Sequence, residues 1–179
     1  QKAFPSWSAL AVEERSVYLR KIATQIELHL DRLSEDEARD NGKPMSLAKA
    51  HDISRSAANF KFFASSVLQF HGESFLTGST ALNYTEHSPL GVVACISPWN
   101  LPLLLLTWKL APALAMGNTV VAKPSEITPM TAFRLSQICR DVGLPPGVLN
   151  IVHGLGPQVG TPLVTHPLVK AVSFTGSTA

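Results

Sequence analysis

Residues 91–126 read GVVACISPWNLPLLLLTWKLAPALAMGNTVVAKPSE, and this stretch decides the fold. GVVACI has the unbroken apolar composition of a buried strand. Pro102 stands where a helix would take its first turn, a position that tolerates a missing N–H. Gly117 follows where the next turn would end, just past the last helical residue. TVVAK then returns to buried-strand composition until Pro124 breaks it. The spacing predicts a strand, a helix from Pro102 to Met116, and a second strand. A membrane span needs about 20 mostly apolar residues; Pro98, Asn100, Pro102 and Lys109 interrupt the leucine run, so no span is expected.

The same alternation continues outward. A helix is predicted from Thr128 to Val142, a strand at GVLNIVHG, a turn and short helix from Pro157 to about Val164, and a strand at VKAVSF; TGST then opens another helix. Strands separated by helices of this length imply an α/β fold, a doubly wound Rossmann-like parallel sheet with right-handed crossovers. Ahead of it, residues 9–33 carry Ile22, Ile26, Leu30 and Leu33 at helical spacing. Ser34 and Glu37 have the spacing of a capping box, so a second helix is expected to start at Ser34 and to end at Asn41–Gly42. A third runs from about Ser46 to Phe70, with Ile53, Ala57, Phe60, Ala64 and Val67 as its buried stripe. Residues 71–89 have the turn residues and composition of an extended hairpin, which usually pairs with something else, such as a partner subunit. The domain organisation expected is therefore an N-terminal helical part over 1–70, a projecting hairpin over 71–89, and a doubly wound α/β part over 90–179.

Bulk composition narrows the function. With 45% hydrophobic and 16% charged residues the chain is not disordered. A net charge of +2 without a dense Lys/Arg run gives no reason to expect nucleic acid. Cys95 and Cys139 lie in apolar surroundings and suit two buried free thiols in a reducing, cytoplasmic setting. None of the histidines forms an i, i+4 pair, so no metal site is expected. No targeting segment is visible, and the start at Gln1 and the stop inside the TGST motif are those expected of a fragment.

In a parallel sheet of this kind, ligands bind beyond the carboxyl ends of the strands. Three polar clusters occupy such ends: Ser97 to Asn100, Lys123 to Glu126, and Thr175 to Thr178. The backbone N–H groups and hydroxyls after Phe174 suit a phosphate, although an ordinary helix cap reads as well. GLGPQVG, residues 154–160, is one residue too long for the dinucleotide fingerprint, and a plain glycine-rich turn is the simpler reading. In KPSE, Lys123 ends an apolar strand and Glu126 lies three residues on. That carboxylate suits the two ribose hydroxyls of an adenosine and repels a 2′-phosphate, with an ion pair as the alternative. Asn100 offers an amide N–H₂ to a developing oxyanion, or satisfies turn backbone.

ISPWNLPLLLLTWKLAPALAMGNTVVAKPSEITP, GLPPGVLNIVHG and VSFTGST together resemble the NAD(P)-dependent aldehyde dehydrogenase superfamily, over nearly the whole chain. Leu101, where many members have Phe, is similar to the branch that oxidises muconic-type semialdehydes. The resemblance implies an aldehyde dehydrogenase-like fold, in which a cofactor domain and a catalytic domain are joined by a bridging hairpin that makes a homo-oligomer. It implies oxidation of an aldehyde to a carboxylic acid with NAD, through a thiohemiacetal on a Cys, and a Glu-activated water. Carried onto this chain, Asn100 is the oxyanion donor. Lys123, Ser125 and Glu126 hold the adenosine ribose; Ile96, Ser97, Pro98 and Trp99 line the nicotinamide side. Gly156 and Gly160 flank the adenine, and Phe174, Thr175, Gly176 and Ser177 carry the pyrophosphate turn. Leu101, Leu105 and Trp108 line the aldehyde path. NADP is disfavoured by the charge of Glu126. The nucleophilic Cys and general-base Glu of the family lie downstream of FTGST, beyond residue 179. Cys95 stands inside a strand before Asn100 and cannot replace that Cys, so the chain alone is expected to be inactive. Two other readings stay open: a naturally short, non-catalytic binding or oligomerisation partner, and an NADP-linked or CoA-acylating relative.

Overall fold

The computed structural model describes residues 1–177. The helix expected to open at TGST runs into Thr178, outside the described residues. The elements in chain order are α1 (Phe4–Ser8), α2 (Val12–Leu28), α3 (Leu30–Asn41), α4 (Met45–Leu47), a π-helical turn (Ala48–Ile53), α5 (Ser54–Ser66), a 3₁₀ turn (Val67–Gln69), β1 (Ser74–Thr77) and β2 (Ala81–Tyr84). Then come β3 (Val92–Ile96), α6 (Pro102–Ala115), β4 (Thr119–Lys123), α7 (Met130–Asp141), β5 (Leu149–Ile151), a second π turn (Gly156–Gly160), α8 (Thr161–Thr165) and β6 (Val169–Phe174).

The main sheet is parallel, in the order β5-β4-β3-β6. The chain moves outward from β3 to β4 to β5, then returns to place β6 on the other side of β3. The strand order therefore reverses at β3, and a crevice opens at the carboxyl ends of β3 and β6. Val93, Cys95, Val120 and Ala122 point to one face, where α6 and α7 cover the sheet and α2 and α5 pack against those helices in a continuous core. The opposite face, through Val92, Val121 and Val169, meets α8 across an apolar cavity of about 410 Å³.

The N-terminal stripes form as their spacing demands. Ile22, Ile26 and Leu33 are buried, and so are Ile53, Ala57, Phe60, Ala64 and Val67. Truncating one such large side chain to Ala costs about 2–5 kcal/mol. The helix boundary differs from expectation. The break falls at His29, whose φ of −102° and ψ of 19° are not helical, and α3 runs straight through Ser34. The Ser34 hydroxyl donates to the Leu30 carbonyl at 2.6 Å instead of capping a helix. Ser34 is fully buried, and burial on that face, not cap chemistry, decides where α3 starts. Glu37 is also fully buried, and neither carboxyl oxygen has a hydrogen-bond partner among the described residues. Desolvation pushes its carboxyl up to about 7.

Gly42 ends α3 with φ 76°, a left-handed conformation that favours glycine, and turns the chain so that Lys43 points back to the body. Asp40 accepts the Met130 N–H at 2.7 Å and so caps α7 from a different helix. The segment expected as one helix from Ser46 to Phe70 is a continuous helical run whose pitch changes three times, into and out of the π turn at Ala48–Ile53 and again at the 3₁₀ turn Val67–Gln69. Strands β1 and β2 form the antiparallel hairpin around Gly78, and Phe75, Leu76, Leu82 and Tyr84 are all exposed on it. No described helix is long and apolar enough to cross a membrane.

Candidate functional site

The carboxyl ends of β3, β4 and β6, together with the turn before α8, enclose one open cavity of about 1000 Å³. Ile96, Ser97, Pro98, Trp99 and Asn100 enter it from the end of β3. Lys123, Ser125 and Glu126 enter from β4. Gly156 and Gly160 come from the second π turn, and Phe174, Thr175, Gly176 and Ser177 from β6. The three polar clusters thus meet because their strands are parallel neighbours and end at one level. The register shows this directly: Ile96 pairs with Lys123 on one side and with Phe174 on the other. The Thr175 N–H donates to the Ile96 carbonyl at 3.1 Å, and the Ser97 N–H to the Lys123 carbonyl at 3.2 Å, extending the ladder to the cavity rim.

Lys123 is the buried cation of the site. Its ammonium donates to the Pro124 carbonyl at 3.2 Å and to Glu126 Oε2 at 3.0 Å. The carboxylate itself lies at the surface and is held below the usual carboxylate range, first by its own backbone N–H and then by Lys123. Ser97 is buried, yet its hydroxyl has no partner among the described residues while it lines the cavity. An orphaned hydroxyl and a buried ammonium on the wall of a wide cavity suit a polar, hydroxyl- and phosphate-bearing ligand. A ligand that accepts from Ser97 and Lys123 satisfies both. The Asn100 amide group makes no hydrogen bond to another described residue and is exposed at the rim.

Leu101, Leu105 and Trp108 lie outside this cavity. Leu101 caps α6 at its N-terminus, and Leu105 and Trp108 follow at helical spacing on the same helix. Trp108 is 53% exposed and meets Phe63 edge-on at 6.3 Å.

Some residues at the site gave no signal in the sequence. Pro157, Thr161 and Val164 also line the cavity. Gly156, Gly160 and Val164 recur every four residues, as do Pro157 and Thr161, and helical spacing would have put them on adjoining stripes. Lys109 reaches from α6 to donate to Thr175 Oγ1 at 2.7 Å. Lys43 donates to the Asn100 carbonyl at 3.1 Å. Neither lysine has a local pattern that points to the site, because each partner is distant in sequence.

The sequence profile described as the aldehyde dehydrogenase family matches residues 1–179. The chain belongs to the aldehyde dehydrogenase family. This aldehyde dehydrogenase chain is 53% identical to 2-aminomuconic semialdehyde dehydrogenase of Danio rerio, over all of its own length and 37% of that protein. It is 49% identical to 2-hydroxymuconic semialdehyde dehydrogenase of Pseudomonas sp. (strain CF600), over 96% of itself and 36% of the relative. The NAD⁺ complex of aldehyde dehydrogenase from Bacillus cereus superposes with a TM-score of 0.95 at 40% identity, covering 98% of this chain and 36% of that one. The chain thus spans little more than a third of the length of the curated relatives it matches. The parallel sheet and N-terminal helices inferred from spacing are those of this family's fold, and the resemblance to the muconic-semialdehyde branch agrees with the names of these relatives.

Proposed function

We propose that the chain forms the NAD half-site, and supplies one catalytic group, of an enzyme that oxidises a muconic-type semialdehyde to the carboxylic acid. The observation that carries this reading is the convergence of Asn100, Lys123, Glu126 and the Phe174–Ser177 turn on one cavity. Relatives that act on muconic semialdehydes, and a neighbour solved with NAD⁺, support the substrate class and the cofactor.

Each residue has a role its chemistry suits. Lys123 and Glu126 hold the two hydroxyls of the adenosine ribose, one as donor and one as acceptor. Ser125 adds a hydroxyl at the same strand end. Gly156 and Gly160 let the backbone lie close to a flat adenine, because neither carries a Cβ. The turn Phe174 to Ser177 turns backbone N–H groups and hydroxyls toward the diphosphate. Ile96 to Trp99 form the wall beside the nicotinamide. NAD held by these residues would supply the hydride acceptor for the oxidation. Asn100 donates its amide N–H to the aldehyde oxygen as negative charge develops on it, under attack by a thiolate that lies beyond residue 179. Loss of one such donor typically costs a factor of about 10²–10³ in kcat. Leu101, Leu105 and Trp108 form an apolar wall on the aldehyde side. The hairpin 71–89 joins subunits into a homo-oligomer through its exposed apolar residues.

The test is NADH formation by the protein in its longest natural form, with a muconic-type semialdehyde and with simple aldehydes. The expected result is turnover with NAD, and a loss of about 10²-fold or more in kcat for Asn100→Ala with the NAD dissociation constant unchanged. Absence of NADH with every aldehyde, or an Asn100→Ala enzyme as fast as the parent, would sink the reading.

A further inference from the structure

We propose that Lys43 is a positioning residue for Asn100, holding the turn from which the Asn100 amide reaches the cavity; this rests on the oxyanion role assigned to Asn100 above. The turn Ser97–Leu101 has few tethers of its own. Its ends are fixed by the Ser97 N–H on the Lys123 carbonyl and by the Leu105 N–H on the Leu101 carbonyl. Between those ends, the described residues make one hydrogen bond to the carbonyl of Asn100, and Lys43 donates it, Nζ to O at 3.1 Å.

Lys43 is itself held from three sides. The left-handed Gly42 turns it inward, and Asn41 Oδ1 accepts its backbone N–H at 3.0 Å. Its ammonium is paired with the Asp52 carboxylate, and the two side chains are only 14% and 4% exposed. Asp52 projects from the π turn Ala48–Ile53, a geometry that re-aims side chains and is frequent at functional sites. Ser56 Oγ donates to the Asp52 carbonyl at 2.7 Å and ties that turn to α5. A largely buried cation thus spans from the N-terminal helical layer to the Asn100 carbonyl, which no backbone amide among the described residues reaches. An oxyanion donor acts only when held in place before the reaction, and a displacement of about 1 Å costs on the order of 10²-fold. The Lys43–Asp52 pair supplies that restraint at Asn100, while the opposite end of the cavity, around Lys123 and Glu126, does not touch it.

The experiment is steady-state kinetics on the longest natural form of the protein. Lys43→Met should lower kcat by about 10–100-fold while the NAD dissociation constant and KM for NAD stay within about twofold. Lys43→Arg, which keeps the charge and a donor, should restore most of the loss. Leaving Asp52 buried without its partner threatens folding, so Lys43→Met is also made together with Asp52→Asn, and the pair should show the same kcat loss in a folded protein. In an Asn100→Ala background, Lys43→Met should lower kcat little further, because the donor it positions is gone. A folded variant with kcat within twofold of the parent would overturn the inference alone. So would an equal loss in the presence and absence of the Asn100 side chain. An Asn100→Ala enzyme as active as the parent would overturn both this inference and the functional reading beneath it.

Discussion

Lys123 and Glu126 form an ion pair with Nζ 3.0 Å from Oε2 in which only the cation is buried: the lysine side chain is 4% exposed and the glutamate 39%. The asymmetry follows from the strand. Lys123 is the last residue of β4 and lines the cavity with its side chain almost fully buried, while Glu126 stands on the turn beyond Pro124. A cation anchored this way places the carboxylate at a defined point on the rim.

That placement leads to the first prediction. Glu126 stays ionised through neutral pH, since its carboxyl is held below the ordinary range. A cofactor with a 2′-phosphate would meet this charge directly. Glu126→Ser should cut the ratio of kcat/KM for NAD over NADP by at least about tenfold, equal to about 1.4 kcal/mol. Kinetics with both cofactors check it, and an unchanged ratio would remove the ribose role from Glu126.

Glu37 predicts a pH dependence of stability. Burial raises its carboxyl from 4.5 to about 7. A carboxyl whose pKa rises on folding binds its proton more tightly in the folded state. Its contribution is therefore complete below about pH 4.5 and is lost as pH rises toward about 7, for a total of about 3 kcal/mol. Glu37→Gln keeps the shape and removes the charge. The difference in unfolding free energy between parent and variant should move in favour of the variant between about pH 5 and 8. A constant difference across that range would contradict the buried, protonated carboxyl.

The two cysteines should be inert in the folded protein. Burial pushes the Cys95 thiol up to about 11, against a small opposing effect of Lys109, and the Cys139 thiol up to about 12. Only a thiolate reacts quickly, so at about pH 8 neither should react with an aromatic disulfide reagent until denaturant is added. Cys95→Ala and Cys139→Ala should each keep whatever turnover the parent shows. Rapid native-state labelling of either residue would refute the burial.

The hairpin carries a prediction about assembly. Phe75, Leu76, Leu82 and Tyr84 are between 63% and 73% exposed on a two-stranded ribbon with no core of its own. Such a ribbon is marginal by itself and gains from burial against another chain. Leu76→Asp combined with Leu82→Asp should shift the protein to a smaller assembly, read by light scattering coupled to gel filtration. An unchanged mass would place the oligomer contact elsewhere.

The site was legible where it depended on strand ends, and silent where it depended on long-range contacts. FTGST, KPSE and SPWN each end an apolar strand, and parallel strands deliver their carboxyl ends to one edge, so their convergence on one cavity was expected from topology. Lys43 and Lys109 left no such trace. Each donates to a residue more than 50 positions away, Asn100 and Thr175 respectively, and nothing local in a lysine records that. The capping box at Ser34 and Glu37 misled for a related reason. The S-x-x-E pattern describes a helix start with solvent around it, and here both residues face the protein interior.

The sequence by itself determined the order and type of the elements from Gly91 onward, the core stripes of α2 and α5, and which strand ends carry polar groups, because hydrophobic period, proline and glycine act within a few residues. The tertiary structure alone decided where α3 begins, that burial pushes the Glu37 carboxyl up to about 7, and that Lys43 reaches across from the helical layer to the turn of Asn100. Those outcomes come from burial and from contacts between distant segments, which outweigh a local preference of about 1 kcal/mol once desolvation is at stake.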